Sequence, residues 1–414
     1  MSATDADRVR EVAVRVAEAG LALRTLGPQR IARALAEAAQ RLCDPDSPIG
    51  AHARAMLAQS TGLSSPMVEW ALGSNVAPAT PEALERLVAP APAPASVPVP
   101  ARLCVAVLAG NVFTAALRAV AVPLLQGTPV VAKASSRDDA FVRLLRRALA
   151  EADAEVAPGF EVLTFPGGAE DLEDALFGQA DVVQVHGSDA TVARIRARLP
   201  GTTRMLIHGH GLGAAYVPAR ALPDEASAAR VARAVALDVA AFDQRGCLSP
   251  HAVWVERGGA VTGEAFAARL ADQGLAEMHR TLPRGALPPE VGAAQVQWRG
   301  VAAAHGRLLE RDGYAVSHEG EGTLRPSPGW RNVAVLDADS IGGFVDRLRP
   351  LGVHLKIIGV AGDRSLRHAV AEALPPPLAP RITETGRMQS PPIDALADGE
   401  PPWVGLLRWS DLDA

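Results

Sequence analysis

Cysteine is scarce in this chain: Cys43, Cys104 and Cys247 are the three among 414 residues, with no spacing that pairs them. That excludes a disulfide framework and fits a reducing compartment. No Cys/His cluster has the spacing of metal ligands, so no metal site is expected. Aromatic residues make up only 4% of the sequence, and alanine carries much of the apolar content. Basic charge is not in excess: 41 Lys and Arg stand against 46 Asp and Glu, for a net charge of −5 and a pI near 6.1. This balance argues against general nucleic-acid binding. No uninterrupted apolar run approaches the length of about 18 residues that a membrane span needs. The N-terminus lacks a basic segment followed by an apolar core, so no secretory signal is expected, and a cytoplasmic location is.

What is present is ordinary for a globular protein, with 48% apolar and 21% charged residues. The length suggests roughly two or three domains. Residues 1–90 read as helical. Val9, Val12, Val16 and Leu21, then Ile31, Leu35, Ala38 and Leu42, recur at helical steps, punctuated by Pro28 and Pro45. Residues 89–100 alternate Pro with small residues and predict a stiff polyproline-like connector. No internal repeat is evident.

Beyond the connector, strands alternate with helices. Leu103–Leu108 is a continuous aliphatic run, as in a strand buried on both faces. Ala109-Gly110-Asn111 turns it into a helical segment that Gln126-Gly127 ends. Pro129–Ala132 is a short strand running to Lys133, and Ser135 and Ser136 are placed to cap the next helix. Val162–Phe165 and Val182–Val185 are further strands, and Gly187-Ser188 opens another helix. This alternation implies a parallel sheet flanked by helices, with ligands expected at the carboxyl ends of the strands. Asn111, Lys133 and Ser188 all fall at such ends. Each alone has a plainer reading as a turn residue, a solvated strand end or an N-cap. Phe242 through Pro250 then separates a helical run (224–241) from an apolar strand (252–255). It reads as an elbow, bent at Gly246, that presents Cys247 to attack a carbonyl, against the ordinary fate of cysteine as a small buried residue.

Asn111, Lys133, Gly187-Ser188, His208-Gly209-His210-Gly211 and Cys247 occur in the order of the landmarks of the aldehyde dehydrogenase superfamily. The intervals between Asn111, Lys133, Ser188, His208 and Cys247 are 22, 55, 20 and 39 residues, similar to that family's. The sequence most resembles the LuxC-type fatty acyl-CoA reductases within it. Gln244-Arg245-Gly246-Cys247-Leu248-Ser249-Pro250 resembles their nucleophile segment. His354 to Val360 resembles a late strand, and Arg381 through Gln389 to Asp398-Gly399 a C-terminal signature. The match runs from about residue 100 to the end, and the first 90 residues are less distinctive.

The resemblance implies an aldehyde dehydrogenase-like α/β fold with a Rossmann-type nucleotide-binding lobe, an α/β catalytic lobe and an N-terminal helical region. The expected boundaries are 1–95 for the helical region and connector, 96–240 for the NADP-binding lobe, 241–385 for the catalytic lobe and 386–414 for a C-terminal segment. It also implies NADPH-dependent reduction of an acyl-CoA, or another acyl thioester, to an aldehyde. Cys247 would be the nucleophile and Asn111 an oxyanion-hole donor. His208 stands where hydrolytic members carry a Glu, and would shuttle protons or serve only structure. Lys133, Ser135, Arg137, Gly187, Ser188 and Gly209 would meet the cofactor. Ser135 and Arg137 suit a 2′-phosphate. No metal is implied; a homo-oligomer or a complex with an acyl-transferring partner is. The competing readings are an oxidative aldehyde dehydrogenase, a catalytically silent scaffold, and a cysteine acyltransferase or thioesterase that ignores nicotinamide.

Overall fold

A strand whose side chains are all apolar can leave neither face to water, and Cys104–Val107 is accordingly buried throughout. It is the central strand of a five-stranded sheet. The structure, a computed structural model, describes residues 4–92 and 96–412, which divide into two compact units. Residues 93–95 of the expected connector lie outside the described residues.

The first unit comprises residues up to 61, 68–210 and those from 392 onward. Its strands are β1 (Ser96–Pro100), β2 (Cys104–Val107), β3 (Val130–Ala134), β4 (Phe160–Thr164), β5 (Val182–Gly187) and β6 (Arg204–Gly209). Five of them form a parallel sheet in the order β4-β3-β2-β5-β6. Val107 lies opposite both Lys133 and Val185, and Gly187 opposite Gly209. The carboxyl ends therefore finish nearly level. Helices Ala115–Leu125, Ala140–Ala152, Glu170–Phe177 and Asp189–Arg196 make the crossovers. The N-terminal helix Asp5–Glu18 contributes Val9, Ala13 and Val16 to the core that holds Leu103, Val105, Val131 and Val183. The N-terminal helices thus belong to this unit.

The second unit comprises residues 62–67 and 211–391. Its strands are β7 (Leu212–Val217), β8 (Pro250–Glu256), β9 (Arg307–Arg311), β10 (Tyr314–His318), β11 (Asn332–Ala338), β12 (Leu355–Val360) and β13 (Arg381–Glu384). They form a sheet in the order β13-β12-β7-β8-β11-β10-β9, antiparallel only between β9 and β10. Along β8, Ala252 and Trp254 enter one core and Val253 and Val255 the other, so both faces are covered. Tyr216 and Trp254 pack on Phe344 with ring centroids 4.7 and 5.3 Å away. Asp224 caps helix Glu225–Ala240 by accepting the Ser227 N–H at 2.7 Å, and that helix leads into the Cys247 loop. The expected nucleotide-binding lobe runs to residue 240, whereas β7 and this helix pack in the second unit.

A last strand, β14 (Leu407–Asp411), pairs antiparallel with β1. Ser96–Pro100 is therefore a strand, not the expected polyproline-like spacer. The φ of proline suits extended backbone, and an edge position spares the missing N–H. Its partner lies some three hundred residues away, with Pro98 opposite Trp409. Among the described residues no helix is long and apolar enough to cross a membrane, and no group of His, Cys, Asp or Glu is placed to hold a metal ion.

Candidate active site

The carboxyl edge of the five-stranded sheet gathers all the candidate residues but Cys247. After β2 the chain turns through Gly110 and Asn111 into helix Ala115–Leu125. A Cβ on Gly110 would stand 2.8 Å from the Ser135 hydroxyl and 3.1 Å from its Cβ, so glycine here lets the loops after β2 and β3 approach closely. Lys133, near the end of β3, is buried, with its ammonium 5.1 Å from the centre of the Phe165 ring. Burial depresses its pKa, partly offset by Glu173 and reinforced by Arg194. The Ser135 hydroxyl accepts the Arg137 N–H at 3.2 Å, and Arg137 itself is exposed. Neither Ser135 nor Ser136 caps the next helix as expected, because it begins only at Ala140. Asp139 occupies the cap position and turns its carboxylate to Arg143 (2.5 Å) and the Thr164 hydroxyl (2.7 Å).

At the ends of β5 and β6, Ser188 caps helix Asp189–Arg196 by accepting the Thr191 N–H, and Gly187 faces Gly209. Their neighbours His186 and His208 are also register partners, and their rings stack at 4.5 Å with planes 21° apart. Asp398 lies 4.0 Å from His208 Nδ1. Burial, with His208 and Arg118 nearby, holds His186 well below the ordinary imidazole value. Its Nε2 is buried without a hydrogen-bond partner.

Cys247 stands in the second unit, exposed, on the loop between helix Glu225–Ala240 and β8. The other two thiols are suppressed by burial: Cys43 is pushed up to about 11 and Cys104 to about 12. The expectation that Gly246 supplies the bend is corrected. Phe242, Asp243 and Gln244 take left-handed φ values of 51°, 53° and 60°, and Gly246 does not. Such conformations cost non-glycine residues on the order of 1–2 kcal/mol each, so the surroundings must impose them. Gln244 does so through its buried amide: Nε2 donates to the carbonyls of Pro250 (2.8 Å) and Asn332 (2.9 Å), and Oε1 accepts the Asn332 N–H at 2.9 Å. The bond to Pro250 closes the loop 245–249 across its base. Asp243 accepts the Gly285 N–H at 3.0 Å and two bonds from Arg331. Neither Asp243 nor Arg331 was singled out from the sequence.

The C-terminal signature segment docks on the same helix and loop. Asp238, in the last turn of that helix, accepts the N–H groups of Gly386 (2.6 Å) and Met388 (2.9 Å). Burial pushes its carboxyl up to about 8, although those two bonds and Arg381 favour the ion. Gln389 reaches the Ser249 hydroxyl at 3.4 Å, and the Ser249 carbonyl accepts the Gly213 N–H at 2.8 Å. His186 and Asp238 were likewise missed, and the sequence offered Asp398 only as part of the C-terminal signature, not as a neighbour of His208. Strand register and long-range packing bring them in, and no local pattern marks them.

Solved structures share this architecture. A salicylaldehyde dehydrogenase from Pseudomonas putida G7, complexed with salicylaldehyde, superposes with a TM-score of 0.73 at 15% identity, covering 99% of this chain and 90% of that one. A lactaldehyde dehydrogenase gives 0.72 at 14% identity, covering 99% and 91%. Proline utilization A gives 0.75 at 15% identity, and this chain spans 45% of its length. At such identities the likeness defines the fold, which is that of the aldehyde dehydrogenases. Among curated proteins no sequence match was found. The profile of the acyl-CoA reductase (LuxC) family matches residues 29–408, and the chain belongs to that family. Membership makes it an oxidoreductase acting on acyl or aldehyde groups.

Proposed function

We propose that the protein reduces an acyl thioester, in the first place an acyl-CoA, to the aldehyde with NADPH, through a thioester on Cys247. The observation that carries this reading is the exposed Cys247 thiol on a tightly anchored turn, where Cys43 is half-buried and Cys104 fully buried. A thiolate is the effective nucleophile, and burial suppresses its formation.

The Cys247 sulfur attacks the acyl carbon, the bond to the CoA sulfur breaks, and the acyl group stays on Cys247. Asn111 and the Cys247 backbone N–H serve as donors to the oxyanion, a role worth about 10²–10³ in rate per donor. A nicotinamide held at the first unit's edge would supply hydride chemistry at the acyl carbon of the Cys247 thioester. The resulting thiohemiacetal collapses, the carbon–sulfur bond breaks, and aldehyde leaves Cys247 as thiolate. His208 moves the proton that the departing CoA sulfur takes up. In place of a water-activating carboxylate it leaves the acyl-enzyme to reduction.

The first unit's edge suits a dinucleotide. The strand ends are level, two loops meet closely at Gly110, and the buried His186 Nε2 is left without a partner. Lys133, Ser135, Arg137, Gly187, Ser188 and Gly209 would hold it. Ser135 retains a hydroxyl proton to donate, and Arg137 is exposed beside it, which supports a 2′-phosphate and hence NADPH. A cytoplasmic location, and a homo-oligomer or a complex with an acyl-transferring partner, belong to the same reading. The test is incubation with a panel of acyl-CoAs while NADPH absorbance and aldehyde release are followed. Stoichiometric NADPH loss and aldehyde gain are expected. Aldehyde-dependent NADP reduction with no acyl-CoA turnover would replace this reading with the oxidative one.

A further inference from the structure

The described chain holds six non-glycine residues with positive φ, and five of them meet at one place. Phe242, Asp243 and Gln244 form one left-handed run. Gly329, Trp330 and Arg331, at φ 73°, 54° and 64°, form a second. The two runs clasp each other. The Trp330 N–H donates to the Asp243 carbonyl at 3.0 Å. The guanidinium of Arg331 directs Nε (3.1 Å) and Nη2 (2.8 Å) to one carboxylate oxygen of Asp243. The Asn332 N–H meets the Gln244 side chain, and the Arg245 guanidinium lies 5.3 Å from the centre of the Trp330 ring. Side chains of Arg331 and Asp243 are 0% and 1% exposed, so the pair is shut off from water.

A buried charge pair is seldom the most stabilising choice at a site, and a buried charge left alone is expensive. Strain concentrated in two interlocked turns, one of which ends three residues before an exposed thiol, points to a use in geometry. We infer that Arg331 is a positioning residue for Cys247: through Asp243 it holds the left-handed run that aims the thiol at the acyl carbon. This rests on the reading of Cys247 as the nucleophile. Arg331 touches neither thiol nor substrate in this role. Its planar fork fixes the Asp243 carboxylate in a way that a single ammonium donor matches only in part.

The test compares the parent with Arg331→Met, Arg331→Lys and the double variant Asp243→Asn/Arg331→Met, which leaves no unpaired buried charge. Single-turnover acylation of Cys247 by an acyl-CoA is read by intact mass, and labelling of Cys247 by iodoacetamide by peptide mapping. Folding is checked by circular dichroism. In Arg331→Met, or in the double variant should the single one fail to fold, acylation should slow by about 10²-fold, the scale of a 1 Å misplacement. The acyl-CoA concentration for half-maximal rate should change little, iodoacetamide should still reach the exposed thiol, and Arg331→Lys should recover part of the rate. Folded variants that acylate at the parental rate, losing only thermal stability, would overturn the inference. A parent that forms no adduct on Cys247 would instead remove the nucleophile reading and the inference with it.

Discussion

The imidazole of His186 lies stacked on that of His208, 4.5 Å between ring centroids, as a direct result of their shared register on β5 and β6. Two imidazolium ions at that separation would repel, and burial already disfavours charge on His186. The unfolded chain takes up a proton here near 6.5, whereas the folded chain resists it well below that value. Stability is therefore lost as pH falls through that window. His186→Phe keeps a ring in the stack and removes the titration. Its melting temperature should improve relative to the parent as the solution is acidified below about 6.5. An unchanged difference across that range would refute the placement of a neutral His186.

Cys247→Ser should fold and bind NADPH like the parent yet form no acyl adduct. A serine hydroxyl with no dedicated base is a far poorer nucleophile than a thiolate. Intact mass after mixing with an acyl-CoA is the check. An adduct on Cys43 or Cys104 in the parent would contradict both the assignment and the burial of those thiols.

Asn111→Ala should lower turnover by about 10²–10³-fold, the scale for losing one oxyanion donor, with little change in melting temperature. Asn111 is exposed at the end of the turn after β2, and its side chain fills no core. A variant that mainly unfolds would return it to the role of a turn residue.

Lys133→Ala and Arg137→Ala should weaken NADPH more than NADH in a direct binding titration. A 2′-phosphate gains charge-assisted bonds that a hydroxyl cannot match. Lys133 is partly desolvated, and the Asp139 carboxylate is occupied by Arg143 and Thr164. Equal losses for both cofactors would show that neither cation reads the phosphate.

Asp238→Asn tests the anchor of the C-terminal signature segment. The folded carboxyl titrates at about 8 against an ordinary 3.8, so its contribution is complete below 3.8 and is lost as pH rises towards 8. An amide offers one acceptor where two N–H groups need one each, at a cost of about 1–3 kcal/mol. The parent's advantage in melting temperature should be larger on the acid side of this window and shrink towards 8. An advantage that grows with pH would mean that Asp238 is ionised when folded.

Much of the fold is legible because buried strands announce themselves locally. Leu103–Leu108 and Val182–Val185 need no partner to read as strands, and Ser188 is a cap by chemistry alone. Strand ends then place Asn111, Lys133 and Ser188 on one edge. What escapes the sequence depends on contacts between distant residues. Ser96–Pro100 becomes a strand only because Leu407–Asp411 lies beside it. Phe242–Gln244 turn left-handed only because Gln244 and Arg331 hold them, and glycine was the natural suspect at an elbow. His186 gains its meaning from register, to which one-dimensional patterns are blind.

The pairing of β1 with β14 also bears on how the protein is made. The first unit is built from stretches on both sides of the second unit in sequence. During synthesis the whole of Gly211–Pro391 leaves the ribosome before Leu407–Asp411 can reach Ser96–Pro100. Asp398, the carboxylate beside His208, arrives on that same late segment. The unit that begins first is thus finished last, and its candidate proton-handling group gains its acidic neighbour only after the unit that carries Cys247 has been translated.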